Sequence, residues 1–200
     1  MMFPILVVIF VECYTTSVSG TCCVPPVFQT EMDVTGGMIN LQTNHKEFYD
    51  RRVHLYFDYH RRMTRTDTIV TLSGNMTFTH TEIVDYHHGK SYKIDLGRCS
   101  VEQLTVPIQD QCIPKDAQLI AQRSIGPPDN NLEVQIWKYV IPSTNMTVVR
   151  SVTTPDCWPV SQIEYGTFEG GYTAMSYTTA DISIHPYSES VMTRPKHCQW

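Results

Sequence analysis

Apolar and polar residues alternate at period two along several stretches of the chain, the pattern of strands buried on one face. Over residues 53–59 one side reads Val53, Leu55, Phe57 and Tyr59, and the other His54, Tyr56 and Asp58. Over 132–140 one side reads Leu132, Val134, Ile136 and Val140, and the other Glu133, Gln135, Trp137 and Tyr139. Met146, Val148 and Val152 form the apolar side of 146–152, and Ala180, Ile182 and Ile184 alternate with Asp181, Ser183 and His185. Residues 68–72 and 75–83 read as two strands of a hairpin around Gly74. Turn chemistry separates these runs at Gly36-Gly37, Ser73-Gly74, His88-Gly89-Lys90, Gly126 to Asn131, Ile141-Pro142-Ser143 and Gly170-Gly171. The only helical signal is a short turn over 114–117. The spacing predicts an all-β domain of about ten strands: two stacked antiparallel sheets, a half-open barrel or a barrel.

Composition points the same way. The chain of 200 residues has 19 Val, 15 Ile and 23 Thr against 4 Ala and 8 Leu, and branched side chains fit pleated surfaces better than helices. With 42% hydrophobic and 18% charged residues it is expected to fold rather than stay disordered. Its net charge of −5, with no more than two adjacent basic residues, argues against nucleic-acid binding.

The first 20 residues read as a secretory signal peptide, with an apolar run from Phe3 to Val11 too short to span a bilayer and small residues near Gly20. No later segment reads as a membrane span, so residues 21–200 are expected to be one secreted domain. Six cysteines then remain, and an even number in an oxidising compartment predicts three disulfides. Six allow fifteen pairings; excluding a strained bridge between the neighbours Cys22 and Cys23 leaves twelve. Sequons at Asn75 and Asn145 predict glycosylation, with Asn145 on the wet side of its strand.

Candidate chemistry is sparse. No nucleophile elbow, dinucleotide turn, phosphate loop or zinc-protease helix motif is present, so the reading is that the chain is not an enzyme. His80, Glu82, Asp85, His87 and His88 form the richest polar cluster; alternation puts His80, Glu82 and His88 on one side, where imidazole and carboxylate could ligate zinc or copper, against a solvated strand end. Asp129, Asp156 and Asp181 are candidate calcium ligands, though Asp129 reads first as a hairpin tip. No cofactor is required by any motif. The rings of Tyr56, Phe57, Tyr59, Phe78, Trp137, Tyr139, Tyr172 and Tyr177 fill a core between sheets or line a cavity in a curved one; periodicity allows both.

Several short stretches, in order, resemble the ependymin-related proteins. They are the opening Cys22-Cys23-Val24-Pro25-Pro26-Val27-Phe28, Lys93-Ile94-Asp95 leading to Arg98-Cys99-Ser100, Arg123 to Pro128 followed by Val134-Gln135-Ile136-Trp137, Asp156-Cys157-Trp158-Pro159-Val160, Asp181-Ile182, and Cys198-Gln199. The resemblance implies a secreted or lysosomal glycoprotein. It also implies two antiparallel sheets in a half-open barrel similar to bacterial lipoprotein carriers, an apolar lipid pocket, an association with calcium, and a homodimer. It implies bridges Cys22–Cys157 and Cys99–Cys198, and the remaining Cys23 and Cys112 are then paired with each other. The first functional expectation is a carrier that buries a fatty acid or other lipid between the sheets, with Leu55, Phe57, Val134, Ile136 and Val148 as candidate lining residues. The alternative is a calcium-linked component of an extracellular, connective or mineralised matrix.

Overall fold

The structure, a computed structural model, describes residues 22–71, 77–104, 107–108, 111–168, 170–184, 187–194 and 198. The expected signal peptide at 1–20, the Ser73-Gly74 hairpin tip, the Asn75 sequon and His185 lie outside the described residues. Eleven strands follow one another: β1 (Val27–Asn40), β2 (Lys46–Asp58), β3 (Met63–Thr71), β4 (Thr77–Asp85), β5 (Lys90–Asp95), β6 (Arg98–Gln103), β7 (Gln118–Ile125), β8 (Leu132–Ile141), β9 (Met146–Thr153), β10 (Pro159–Phe168) and β11 (Gly171–Ser183). None of the described helices is long and apolar enough to cross a membrane.

Every ladder is antiparallel, and the strand order is β6-β5-β4-β3-β2-β1-β11-β10-β9-β8-β7. The two expected sheets are thus two halves of one ladder, six strands and five, joined where β1 pairs with β11. The edges β6 and β7 do not pair, so the sheet is not closed into a barrel. Short turns follow from local chemistry. Leu96 and Gly97 both take positive φ, 47° and 78°, and link Asp95 to its partner Arg98 in a two-residue hairpin of the kind whose twist suits flanking strands.

Register assigns each side chain to one of two faces. On the front face Phe28 pairs with Phe57 and Thr30 with Leu55, and the row through Gly36 runs to Met175, Glu164, Val148 and Tyr139. This face carries most of the core: Val34, Val53, Val148 and Val152 are buried, and Val24, Phe28 and Phe57 form one cluster with Ile108, Trp158 and Ile182 packed against it. The back face buries a second cluster, Ile83, Tyr92 and Cys198, with Met63, Ile94 and Val101 against it. Residues 187–194 add to that face, where Arg65 Nη1 donates to the Val191 carbonyl at 2.7 Å.

The link from β6 to β7 does not simply round an edge. Val24 N–H donates to the Gln111 carbonyl and Ile113 N–H to the Cys22 carbonyl, while Ile108 packs on the front-face cluster. Residues 107–108 and 111–114 are therefore a strap laid against the front face. Disulfides fasten this arrangement: Cys22 to Cys157, Cys23 to Cys112 and Cys99 to Cys198, the same pairs that the sequence reading arrives at.

Two local expectations change. Gly36-Gly37 is not a turn but lies inside β1, because strand pairing there needs a residue without a side chain: a Cβ on Gly36 would fall 2.2 Å from the Ala174 carbonyl oxygen. Residues 114–117 make a single hydrogen-bonded turn, Ala117 N–H to the Pro114 carbonyl, and no helix. The helix of the described residues is instead the 3₁₀ turn Glu189–Met192, which buries Met192.

Candidate functional site

A cavity of about 320 Å³ lies between the strap and the front face of β8, β9 and β10. The strap contributes Pro107, Ile108, Gln111, Cys112 and Pro114; the sheet contributes Tyr139, Arg150, Gln162 and Glu164; the β8–β9 turn closes one side with Ile141, Pro142 and Ser143. That turn is fixed by Asn145 N–H donating to the Ile141 carbonyl at 2.8 Å, with Asn145 itself at φ 56°. The walls are mainly proline, isoleucine and tyrosine carbon.

The floor is a chain of polar groups on adjacent strands. Register sets Trp137 opposite Arg150 and Arg150 opposite Gln162, with Gln162 opposite Tyr177. Arg150 Nε donates to Gln162 Oε1 at 2.5 Å, and Gln162 Nε2 donates in turn to Glu164 Oε1 at 2.5 Å. Tyr177 Oη donates to the other Glu164 oxygen at 3.5 Å, and Arg150 Nη2 reaches Gln111 Oε1 of the strap at 3.5 Å. Gln162 is thus a spacer between guanidinium and carboxylate, and Arg150 forms no ion pair among the described residues. Beside it the buried Trp137 Nε1 has no hydrogen-bond partner. Partly buried charges on an apolar sheet face are costly unless hydrogen-bonded, and here Arg150 and Glu164 are both hydrogen-bonded to Gln162.

Burial, and then the neighbouring Glu164 carboxylate, pushes the Tyr177 phenol well above its ordinary value. Tyr139 is raised by burial against the opposing influence of Arg150, and on the back face Tyr187 is raised by burial and then by Asp58. These phenols stay neutral in the folded chain while their unfolded counterparts ionise from pH about 10. The sign is therefore that stability is full below that value and falls as pH rises beyond it. Ultraviolet titration is expected to show a late-ionising tyrosine class that merges with the rest only on unfolding; one uniform transition near pH 10 in the folded protein would contradict it.

The five residues expected to line a pocket are not brought together. Leu55 and Phe57 belong to the packed front-face cluster. Val148 is fully buried on the same face, between Tyr139 and Glu164 in register. Val134 and Ile136 point to the back: Ile136 pairs with Ser151, three positions from Val148 and so on the other side. In β8 it is Gln135, Trp137, Tyr139 and Ile141 that share the front with Val148. None of the five lines the cavity. The residues that do were signalled by one irregularity, Arg150 on the apolar side of Met146, Val148 and Val152.

The histidine cluster is likewise divided. His80 Nδ1 meets Asp95 at 2.5 Å, Ser91 Oγ donates to Glu82 at 2.6 Å, and His88 Nδ1 meets Asp85 at 2.7 Å. Among the described residues no three His, Cys, Asp or Glu side chains are placed to hold one ion. Asp129 and Asp156 are exposed in the β7–β8 and β9–β10 connections, and Asp181 is exposed on β11 opposite Glu31. Asn145 is exposed in the β8–β9 turn, just ahead of its strand rather than on it.

Comparison with known proteins gives two results. Residues 74–198 match the Ependymin family model. Among solved structures, a beta-barrel-like protein of a domain of unknown function from Brucella abortus aligns over 84% of this chain and 100% of its own, at 10% identity and a TM-score of 0.29.

Proposed function

The chain belongs to the ependymin family, whose members are non-enzymatic, and from that premise we propose that it is a secreted glycoprotein that binds a hydrophobic small molecule or lipid. The observation that carries this reading is the cavity under the strap. Its volume of about 320 Å³ falls within the range of about 300–1,000 Å³ typical of small-molecule sites, and it combines carbon walls with a few convergent polar groups. A chain entering it leaves water at about 0.8 kcal/mol per buried methylene. Three disulfides, one of them fastening the strap through Cys112, suit an oxidising compartment and keep the cavity's roof in place. A homodimer is supported by the back face, where Ile39 and Tyr172 pair beside Phe48, which is 87% exposed.

Native mass spectrometry of protein secreted from eukaryotic cells, followed by organic extraction, tests the proposal. The expected result is a near-stoichiometric lipid on the protein, with dimer and glycan masses in the same spectrum. A bare mass, unchanged after incubation with fatty acids and phospholipids, would overturn it.

A further inference from the structure

We propose that the cavity takes its amphiphile by an oxyanionic head, a carboxylate or phosphate held by the guanidinium of Arg150, with the apolar tail running between the strap and the β8–β9 turn. The inference rests on the proposed lipid-binding function and names the chemistry of its ligand. Two observations carry it.

The first is the way Arg150 is engaged. A guanidinium offers five N–H donors. Here Nε is committed to Gln162, and Nη2 has only the distant Gln111 oxygen at 3.5 Å. Arg150 lines a cavity walled largely by carbon, and its Nη1 has no hydrogen-bond partner among the described residues.

The second is the treatment of the nearby carboxylate. Glu164 could have capped Arg150 directly, but the Gln162 amide stands between them and the Tyr177 hydroxyl takes the other oxygen. Both of those donors are neutral. Glu164 is thereby stabilised without consuming the positive charge, and its pull on the Gln162 amide fixes the oxygen that orients Arg150 Nε. A planar oxyanion meeting the Nη edge would gain charge-assisted, geometrically specific hydrogen bonds.

The experiment compares probes of one tail length, dodecanoic acid, dodecyl phosphate, dodecanol and dodecylamine, by calorimetry on the glycosylated full-length secreted protein. The acid or the phosphate is expected to bind at least about tenfold tighter than the alcohol, as one charge-assisted contact allows. Whichever of the two leads identifies the source of the oxyanion. Arg150→Met should remove that advantage while leaving the alcohol within about twofold. Glu164→Gln should strengthen acid binding by relieving repulsion, and it keeps the test open should Arg150→Met fail to fold. Equal affinity for acid and alcohol in the wild type, or a parallel loss of both in Arg150→Met, would overturn the proposal. So would tightest binding of the amine, abolished by Glu164→Gln, which would make the head a cation. If no probe binds the wild type, the lipid-binding function falls and this inference with it.

Discussion

Replacing Gly36 by valine is expected to abolish recovery of folded protein. Gly36 sits at the centre of the sheet, where β1 pairs with β11, and even an alanine there would set its Cβ 2.2 Å from the Ala174 carbonyl oxygen and 2.8 Å from the Met175 Cα. Both atoms are backbone, so no rotamer change relieves the clash. Overfilling an ordinary core site costs about 1–3 kcal/mol because side chains yield; here the strands themselves must separate, and about 4 kcal/mol or more is expected for alanine. Gly97 supplies the control. It has φ 78°, but a Cβ there meets nothing within 4 Å, so Gly97→Ala should cost only about 1–2 kcal/mol of left-handed strain. Urea unfolding of the two alanine variants measures the difference, and a wild-type midpoint for Gly36→Ala would show that the central strands can part at little cost.

The second large effect is expected from the bridge Cys22–Cys157. Its ends are 135 residues apart, and closing a loop of that length in the unfolded chain is worth about 5 kcal/mol on the chain-entropy account. The bridge also places Trp158 against the Phe28 and Phe57 cluster. Mutating both cysteines to serine, so that no free thiol remains, should lower stability by about 2–5 kcal/mol and leave little folded protein at body temperature. Thermal unfolding followed by tryptophan fluorescence reads the change, and a shift of only a degree or two would mean that the strap and the sheet hold without this tie.

Most of the architecture is legible in the sequence, for a physical reason. Period-two alternation and branched residues mark β2, β8 and β9 because each of these strands is buried unequally on its two faces. The same signal is silent about which side is the front when both are apolar. In β8 the aliphatic row Val134, Ile136 and Val140 looks like the core side, yet Trp137 and Tyr139 occupy the front face, and Val140 is 49% exposed on the back. Tyr139, a ring with a polar tip, lines a cavity with a polar floor, which alternation alone does not distinguish from a solvent-facing side. Gly36-Gly37 has the composition of a turn; only the neighbouring strand, more than a hundred residues away in sequence, makes it a close-approach site. The strap has no periodicity to read, since its position is set by Cys112 and by backbone bonds to residues 22–24. Arg150 was visible as a charge on an apolar side, and its meaning appears only with Gln162 and Glu164 across the ladder.

The junction of β1 with β11 has a consequence for how the chain is made. β1 is made well before β11, the last of the described strands, yet Gln29 must pair with Ser183 and Asn40 with Gly171. β1 through β6 can zip as a meander as they leave the ribosome, but until β11 arrives one long side of β1 stays open, a strand edge that templates pairing with other chains. The last step is also the one of highest contact order, and such closures are slow. A nascent chain of this kind waits as a half-sheet, and chaperones or early bridging through Cys22 and Cys23 would decide how many copies finish.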